Sequence, residues 1–256
     1  MTGGSIDLNA DVGEIPAALA DGTEERLLGL VTSANIACGG HAGSVESMET
    51  VVAIAGRLHV SIGAHPGYPD PANFGRREMS MSREEIGGTV LAQVSALMDV
   101  ARRQEATVRH VKPHGALYNV AAKDAGVASA IAAGLKPWRD ELVLVGLAGS
   151  TMLDVWRDAG FQVAAEAFAD RAYEPDGTLR ARRHPDALIT DPAVAAQQAL
   201  EIAANGRVFP VTGSPIPVSA ETLCVHGDTP NVIEILGAVR YELKSRGIEV
   251  RGVQRR

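Results

Sequence analysis

The sequence predicts an α/β fold built on a parallel sheet, on three observations. Seven short apolar or β-branched runs alternate with amphipathic stretches from one end of the chain to the other. No linker, internal repeat or low-complexity segment interrupts the alternation, so residues 1–256 read as one domain. Ionisable residues gather just after six of the seven runs, where the carboxyl ends of parallel strands converge on one face. Alternation alone does not separate a closed barrel from an open, doubly wound sheet.

The runs span residues 5–9, 33–38, 60–65, 107–112, 142–147, 161–167 and 222–226, with further short strands expected near 207–211 and 248–250. Each is bounded by Gly, Pro or polar residues and is apolar enough to be covered on both faces. The helices between them have recognisable starts. Ser44 caps the run 45–57, and Ser82 with Glu85 forms a capping box before a long helix ending near Gln104. Asp191-Pro192 and Thr229-Pro230 each place a capping residue before a proline at the first helical position. Two polar loops, 66–80 and 168–190, are long for a compact domain, and such loops tend to carry function.

The strand ends supply the chemistry. Strand one runs into Asn9, Asp11 and Glu14, strand two into His41, and strand three into His65. Strand four carries His110, Lys112 and His114, strand six leads to Glu166, Asp170 and Arg171, and strand seven to His226 and Asp228. Only strand five ends without an ionisable group. His110, Lys112 and His114 share one face of an extended chain, but at roughly 3.3 Å per residue the two histidines lie about 13 Å apart, too far to share one metal ion. Lys112 ends an apolar strand and needs an anion or a carboxylate beside it. Asp170 and Arg171 also fit an exposed ion pair, and Cys38 and Cys224 fit small apolar residues packed near strand ends.

Composition excludes several classes. With 24 Lys+Arg against 31 Asp+Glu and 4% aromatic residues, the chain lacks a nucleic-acid footprint. Two cysteines make neither a disulfide framework nor a CxxC site. No apolar stretch is long enough to span a bilayer, and Met1 to Asp7 lacks the basic and apolar regions of a leader, so a soluble, cytoplasmic protein is expected. Phosphate-binding-loop, dinucleotide, HExxH and nucleophile-elbow motifs are all missing. Four histidines and several carboxylates at one face are compatible with a metal ion, but the spacings single out no ligand set.

The strand-end segments closely resemble the LamB/YcsF family. They are Asp7-Leu-Asn-Ala-Asp-Val-Gly-Glu14, Ser33-Ala-Asn-Ile-Ala-Cys-Gly-Gly-His-Ala-Gly43 and Gly63-Ala-His-Pro-Gly-Tyr-Pro-Asp70, then Phe74-Gly-Arg-Arg77, Val111-Lys-Pro-His-Gly-Ala-Leu-Tyr-Asn119, Phe168-Ala-Asp-Arg-Ala-Tyr-Glu-Pro-Asp-Gly177 and Cys224-Val-His-Gly-Asp-Thr-Pro230. The resemblance keeps its order over nearly the whole chain. It implies an irregular seven-stranded β/α barrel like that of the glycoside hydrolase/deacetylase superfamily. It further implies work as the A subunit, with subunits B and C, in ATP-dependent hydrolysis of 5-oxo-L-proline (pyroglutamate) to L-glutamate. ATP is then the co-substrate, converted to ADP and phosphate, and without a phosphate-binding loop here its binding falls to the partners. Three positions depart from the family pattern: Ala10 stands where Cys is frequent, Gly40 where Phe is, and Gly67 where Ser is. The first excludes a cysteine nucleophile there, and the other two are expected to widen the pocket.

Chemistry then assigns roles. Lys112 or Arg171 holds a substrate carboxylate or a phosphate. Asp11 with His41 or His114 serves as acid and base. His65, His226, Asp170 and Asp228 orient substrate, stabilise an oxyanion or hold a divalent metal, and Asn9 fixes its neighbours. Two other readings stand beside this one: a stand-alone metal-dependent amide hydrolase or deacetylase, and a substrate-binding protein whose partners do the chemistry.

Overall fold

The computed structural model describes residues 4–253; Met1–Gly3, the start of the segment read for a leader, and residues 254–256 lie outside them. In chain order the elements are β1 (Ser5–Val12), α1 (Pro16–Ala20), α2 (Thr23–Leu28), β2 (Ser33–Ala37), α3 (Val45–Leu58), β3 (Ser61–His65), α4 (Arg83–Arg103), β4 (Val108–Val111), α5 (Gly115–Ala121) and α6 (Ala125–Leu135). There follow β5 (Val143–Leu147), α7 (Thr151–Asp158), β6 (Gln162–Phe168), α8 (Pro192–Asn205), β7 (Arg207–Val208), β8 (Ile216–Pro217), β9 (Thr222–Cys224), α9 (Val232–Ser245) and β10 (Glu249–Val250). Strands β1 to β6 pair in sequence order, all parallel, and β9 pairs in parallel with both β6 and β1. That double pairing closes a seven-stranded barrel. β10 lies outside the ring on β1, and β7 with β8 makes a small antiparallel hairpin. No helix among the described residues is long and apolar enough to cross a membrane.

The starts of the helices follow local chemistry. Ser44 with Ser47 and Ser82 with Glu85 form capping boxes on α3 and α4, and Asp191 accepts from the backbone N–H groups of Ala193 and Val194 at the start of α8. Thr229-Pro230 does not cap a helix. α9 begins two residues later, after Asn231 in the left-handed region, because the Thr229 hydroxyl is taken by Asp170 at 2.5 Å.

The strands differ from the apolar, doubly covered expectation in one respect. Their outward residues are apolar and pack under the helices, as Leu8, Ala10 and Val12 do on β1. Asp7, Asn9 and Asp11 on β1, Asn35 and Ser33 on β2 and Glu166 on β6 point inward and are joined by hydrogen bonds. Asp7 accepts from Thr32, Ser33 and Thr222, and Asn9 donates to Glu166 and Thr222. Asn35 donates to Asn9 and Asp11 and accepts from the His110 ring. On β5 the inward set is apolar instead: Val143 and Val145 join Ala164 in a separate small cluster with Val253 against it. Strand five therefore brings no ionisable group to the mouth. Gly63 must be glycine, since a Cβ there would lie 2.1 Å from His110 Nε2, blocking the ring's reach across the barrel to Asn35.

Candidate functional site

At the carboxyl end of the barrel a cavity of about 340 Å³ opens, within the size range of small-molecule sites. Its floor is the end of β1 and β4. Lys112 Nζ sits 3.0 Å from Asp11 Oδ1, 2.9 Å from Glu166 Oε1 and 3.0 Å from Cys224 Sγ, all of them buried. Burial alone would discharge the lysine, but Asp11, the Cys224 sulfur and Glu166 hold its pKa well above the usual value. Conversely, burial raises the Asp11 carboxyl, and His65 and Lys112 more than offset this and hold it far below the carboxylate range. Cys224 packs in the apolar core as expected and also joins this polar cluster, and burial pushes its thiol far up.

One wall is a group of imidazoles around Glu14. Glu14 Oε1 lies 2.7 Å from His41 Nε2, 3.2 Å from His114 Nδ1 and 3.8 Å from His65 Nε2. His65 Nε2 is also 3.0 Å from His114 Nδ1 and 3.3 Å from Asp11 Oδ2. The His41 and His114 rings stack at 3.5 Å. Burial pushes His41 down to about 4 and lowers His114, while the adjacent His114 and His41 rings outweigh the desolvation of Glu14 and hold it well below its usual range. Burial also depresses His65, but the Asp11 carboxylate reverses this and raises it. The partner of Asp11 is therefore His65, and the expected partners His41 and His114 belong to Glu14.

The opposite wall is an Asp–His dyad. Asp170 is fully buried and accepts from the backbone N–H of His226 at 3.0 Å, from its Nδ1 and from Thr229. Burial raises the Asp170 carboxyl, but His226 and Thr229 bring it down to about 2. His226 stacks on Phe168 and borders the cavity. Asp170 and Arg171 are not an exposed ion pair: the buried Arg171 donates Nε to the Ala187 carbonyl and Nη2 to the Arg180 carbonyl, and its guanidinium also borders the cavity. Burial and the nearby Arg182 lower its pKa to about 10.

Arg76, Lys123 and Arg182 also line the cavity and are its more exposed cations. Arg76 and Arg182 share the one carboxylate of Asp228, which is thereby turned to the rim. Of the residues expected at the site, Asp11, His65, Lys112, His114, Arg171 and His226 line the cavity, whereas Asn9, His41 and Asp170 stand behind them and Asp228 sits at the rim between Arg76 and Arg182.

Sequence reading notes Glu14 and Glu166 at strand ends but gives neither a role, and it gives none to Tyr118. Glu166 has a signal: a lone carboxylate in an apolar strand needs a buried cation, and Lys112 poses the mirror problem. Tyr118 lines the cavity with a buried hydroxyl that has no hydrogen-bond partner among the described residues; burial, reinforced by Glu166, keeps that hydroxyl protonated. None of the departures at 10, 40 and 67 lines the cavity itself, but a Cβ at Gly67 would lie 2.8 Å from His41 Nδ1 and 3.3 Å from His114 Cβ in its wall. Ala10 faces the helices, Gly40 abuts the Gln93 amide, and Gln93 in turn bonds both backbone groups of Gly67.

Residues 6–256 match the model of the LamB/YcsF family. A protein of Chloroflexus aggregans, named as the A subunit of 5-oxoprolinase, is 52% identical over 96% of this chain and 98% of its own length. A namesake from Methylococcus capsulatus is 48% identical over 96% and 95% respectively. Among solved structures, the lactam utilization protein of Thermus thermophilus superposes with a TM-score of 0.90 at 43% identity, covering 97% of this chain and all of that one.

Proposed function

The chain belongs to the LamB/YcsF family, and from that premise we propose that it acts as the A subunit of an ATP-dependent 5-oxoprolinase, opening 5-oxoproline to glutamate together with subunits B and C. One observation in this molecule carries the reading. The cavity has cations at its exposed end and buried carboxylates, imidazoles and an ammonium at its floor. A small molecule with a carboxylate at one end and a lactam at the other complements both.

The roles follow from the geometry. Lys112 is already compensated by Asp11 and Glu166, so it is not a free receptor for the substrate carboxylate; that falls to Arg171, Arg182 and their neighbours. The fixed ammonium instead polarises the lactam oxygen and stabilises the charge that grows on it. Asp11, kept ionised, accepts a hydrogen bond from the attacking water. His226, held through Nδ1 by Asp170, turns its other ring edge to the cavity and protonates the ring nitrogen as the C–N bond breaks. A lactam is a poor electrophile, and transfer of the ATP γ-phosphoryl group to its oxygen, releasing ADP, makes the ring carbon reactive; water addition and C–N cleavage then leave an acyl phosphate, which a second water hydrolyses to glutamate and inorganic phosphate. The chain has no phosphate-binding loop, so subunits B and C supply the nucleotide site.

Glutamate release from 5-oxoproline and ATP tests this, with the chain alone and with subunits B and C. Activity is expected only in the mixture, and Asp11→Asn and His226→Ala are each expected to lower kcat by about 10²–10⁴ with the fold intact by circular dichroism. Full turnover in both variants would leave only the substrate-binding reading. The metal-dependent amide hydrolase has the Glu14–His65–His114 cluster in its favour, and it predicts release without ATP or partners.

A further inference from the structure

The His65 and His114 rings pose a hydrogen-bonding problem. His65 Nδ1 lies 2.7 Å from the Lys112 carbonyl oxygen, and His114 Nε2 lies 2.9 Å from the Phe74 carbonyl oxygen. A carbonyl only accepts, so both of these nitrogens carry hydrogen. The remaining nitrogens, His65 Nε2 and His114 Nδ1, then face each other across 3.0 Å, with Asp11 Oδ2 3.3 Å from the first. The Glu14 Oε1 oxygen adds a further electron pair, 3.8 Å from His65 Nε2 and 3.2 Å from His114 Nδ1. Acceptors converging in this buried pocket need a positive centre between them, either a proton on His65 Nε2 or a metal ion held by the two rings and Glu14.

We propose that Glu14 Oε1, His65 Nε2 and His114 Nδ1 form a binding site for a divalent first-row transition-metal ion of the zinc class. Two nitrogens and a carboxylate oxygen suit such an ion. At bond lengths of roughly 2.0–2.1 Å, ligand atoms around a tetrahedral ion stand about 3.3 Å apart, and the three separations here straddle that edge. The carbonyls of Lys112 and Phe74 are the outer acceptors that fix the tautomer and aim of metal-binding histidines. His41, through Nε2, orients Glu14 in the same way. Three protein ligands leave a coordination position toward the cavity, where such an ion polarises a carbonyl or a water. The neighbouring group of Asp11, Cys224 and His226 also brings donor atoms together, but Lys112 Nζ already occupies it, 3.0 Å from both Asp11 Oδ1 and Cys224 Sγ. The inference needs neither 5-oxoproline nor a partner protein, so it stands or falls apart from the reading above.

The test is metal content. Untagged chain, stripped with chelator and dialysed against micromolar Zn²⁺, is expected to retain one equivalent, and Co²⁺ in its place is expected to give the visible absorption of a four- or five-coordinate ion. Glu14→Gln, which preserves shape, and His114→Ala are each expected to weaken Zn²⁺ binding at least tenfold, while His184→Ala, a histidine outside the cavity, binds as the unaltered chain does. Circular dichroism establishes that each variant compared is folded, and Glu14→Gln serves if His114→Ala is not. A folded chain that takes up neither ion, or Zn²⁺ binding unchanged in a folded Glu14→Gln variant, overturns the proposal and assigns the gap between the rings to a proton.

Discussion

Lys112 is where the energetics of single residues are sharpest. Its ammonium is the shared counter-ion of two buried carboxylates, and removing one partner from such a group leaves uncompensated charge that costs about 3–5 kcal/mol. Lys112→Met is therefore expected to lower the urea-unfolding free energy by that amount; a loss below about 1 kcal/mol would mean that water reaches Asp11 and Glu166. Asp170 makes a prediction in pH. Its carboxyl falls to about 2 in the fold from 3.8 in an open chain, so its contribution is complete above pH 4 and is lost as the pH drops through 2. The shift corresponds to roughly 2 kcal/mol. Asp170→Asn is expected to lie below the parent chain in stability at pH 6 and to converge on it near pH 2, as followed by thermal melts across that range. Asp11 and Lys112 are legible in the sequence because a charge at the end of an apolar strand has to be explained. Glu14 is not, because nothing in the segment 7–14 says which of its three carboxylates turns back over the mouth. That depends on Gly13, whose φ of +73° redirects the chain.

Elements are legible where local chemistry alone decides them, and the capping residues Ser44, Ser82 and Asp191 all start the helices expected of them. Thr229 fails because a tertiary partner, Asp170, outcompetes the local cap. The polar inner faces are hidden for a related reason: strands apolar on one side and hydrogen-bonded on the other read as buried, whichever way they point. Helix packing adds a contrast that the sequence does not display at all. On α4, Gly88 has open space where a side chain would go, whereas a Cβ on Gly134 of α6 would lie 2.3 Å from the Gly87 carbonyl oxygen of α4. Gly88→Ala is expected to stabilise the chain by about 0.5–1 kcal/mol through helix propensity. Gly134→Ala is expected to destabilise it by about 1–3 kcal/mol by prising the two helices apart. Chemical denaturation of the pair reads both signs, and equal effects would contradict the close crossing.

At the scale of the molecule, the closed barrel sorts charge along its axis. The chain is acidic, with a net charge of −7, and Asp7, Asp11, Glu166 and Asp170 lie buried within the barrel or at its carboxyl end. Arg76, Arg171, Arg182 and Lys123 border the opening, and of these Arg76 and Arg182 share a single carboxylate while Arg171 donates to the Ala187 and Arg180 carbonyls. An anionic interior behind a cationic mouth orients a ligand as well as attracting it. On the function proposed above, the carboxylate of 5-oxoproline would be repelled from the floor and held at the rim, delivering the lactam inward to Lys112 and His226. Two ligands separate this effect from simple attraction: 5-oxoproline, and 2-pyrrolidone, the same lactam without the carboxylate. The chain is expected to bind 5-oxoproline at least tenfold more tightly by calorimetry. Arg182→Met is expected to erase most of that advantage while leaving 2-pyrrolidone binding unchanged, because the lost charge faces only the group that 2-pyrrolidone lacks. Equal weakening of both ligands would instead make Arg182 a support for the loop that carries it, and the orientation of the substrate would then have to come from the floor.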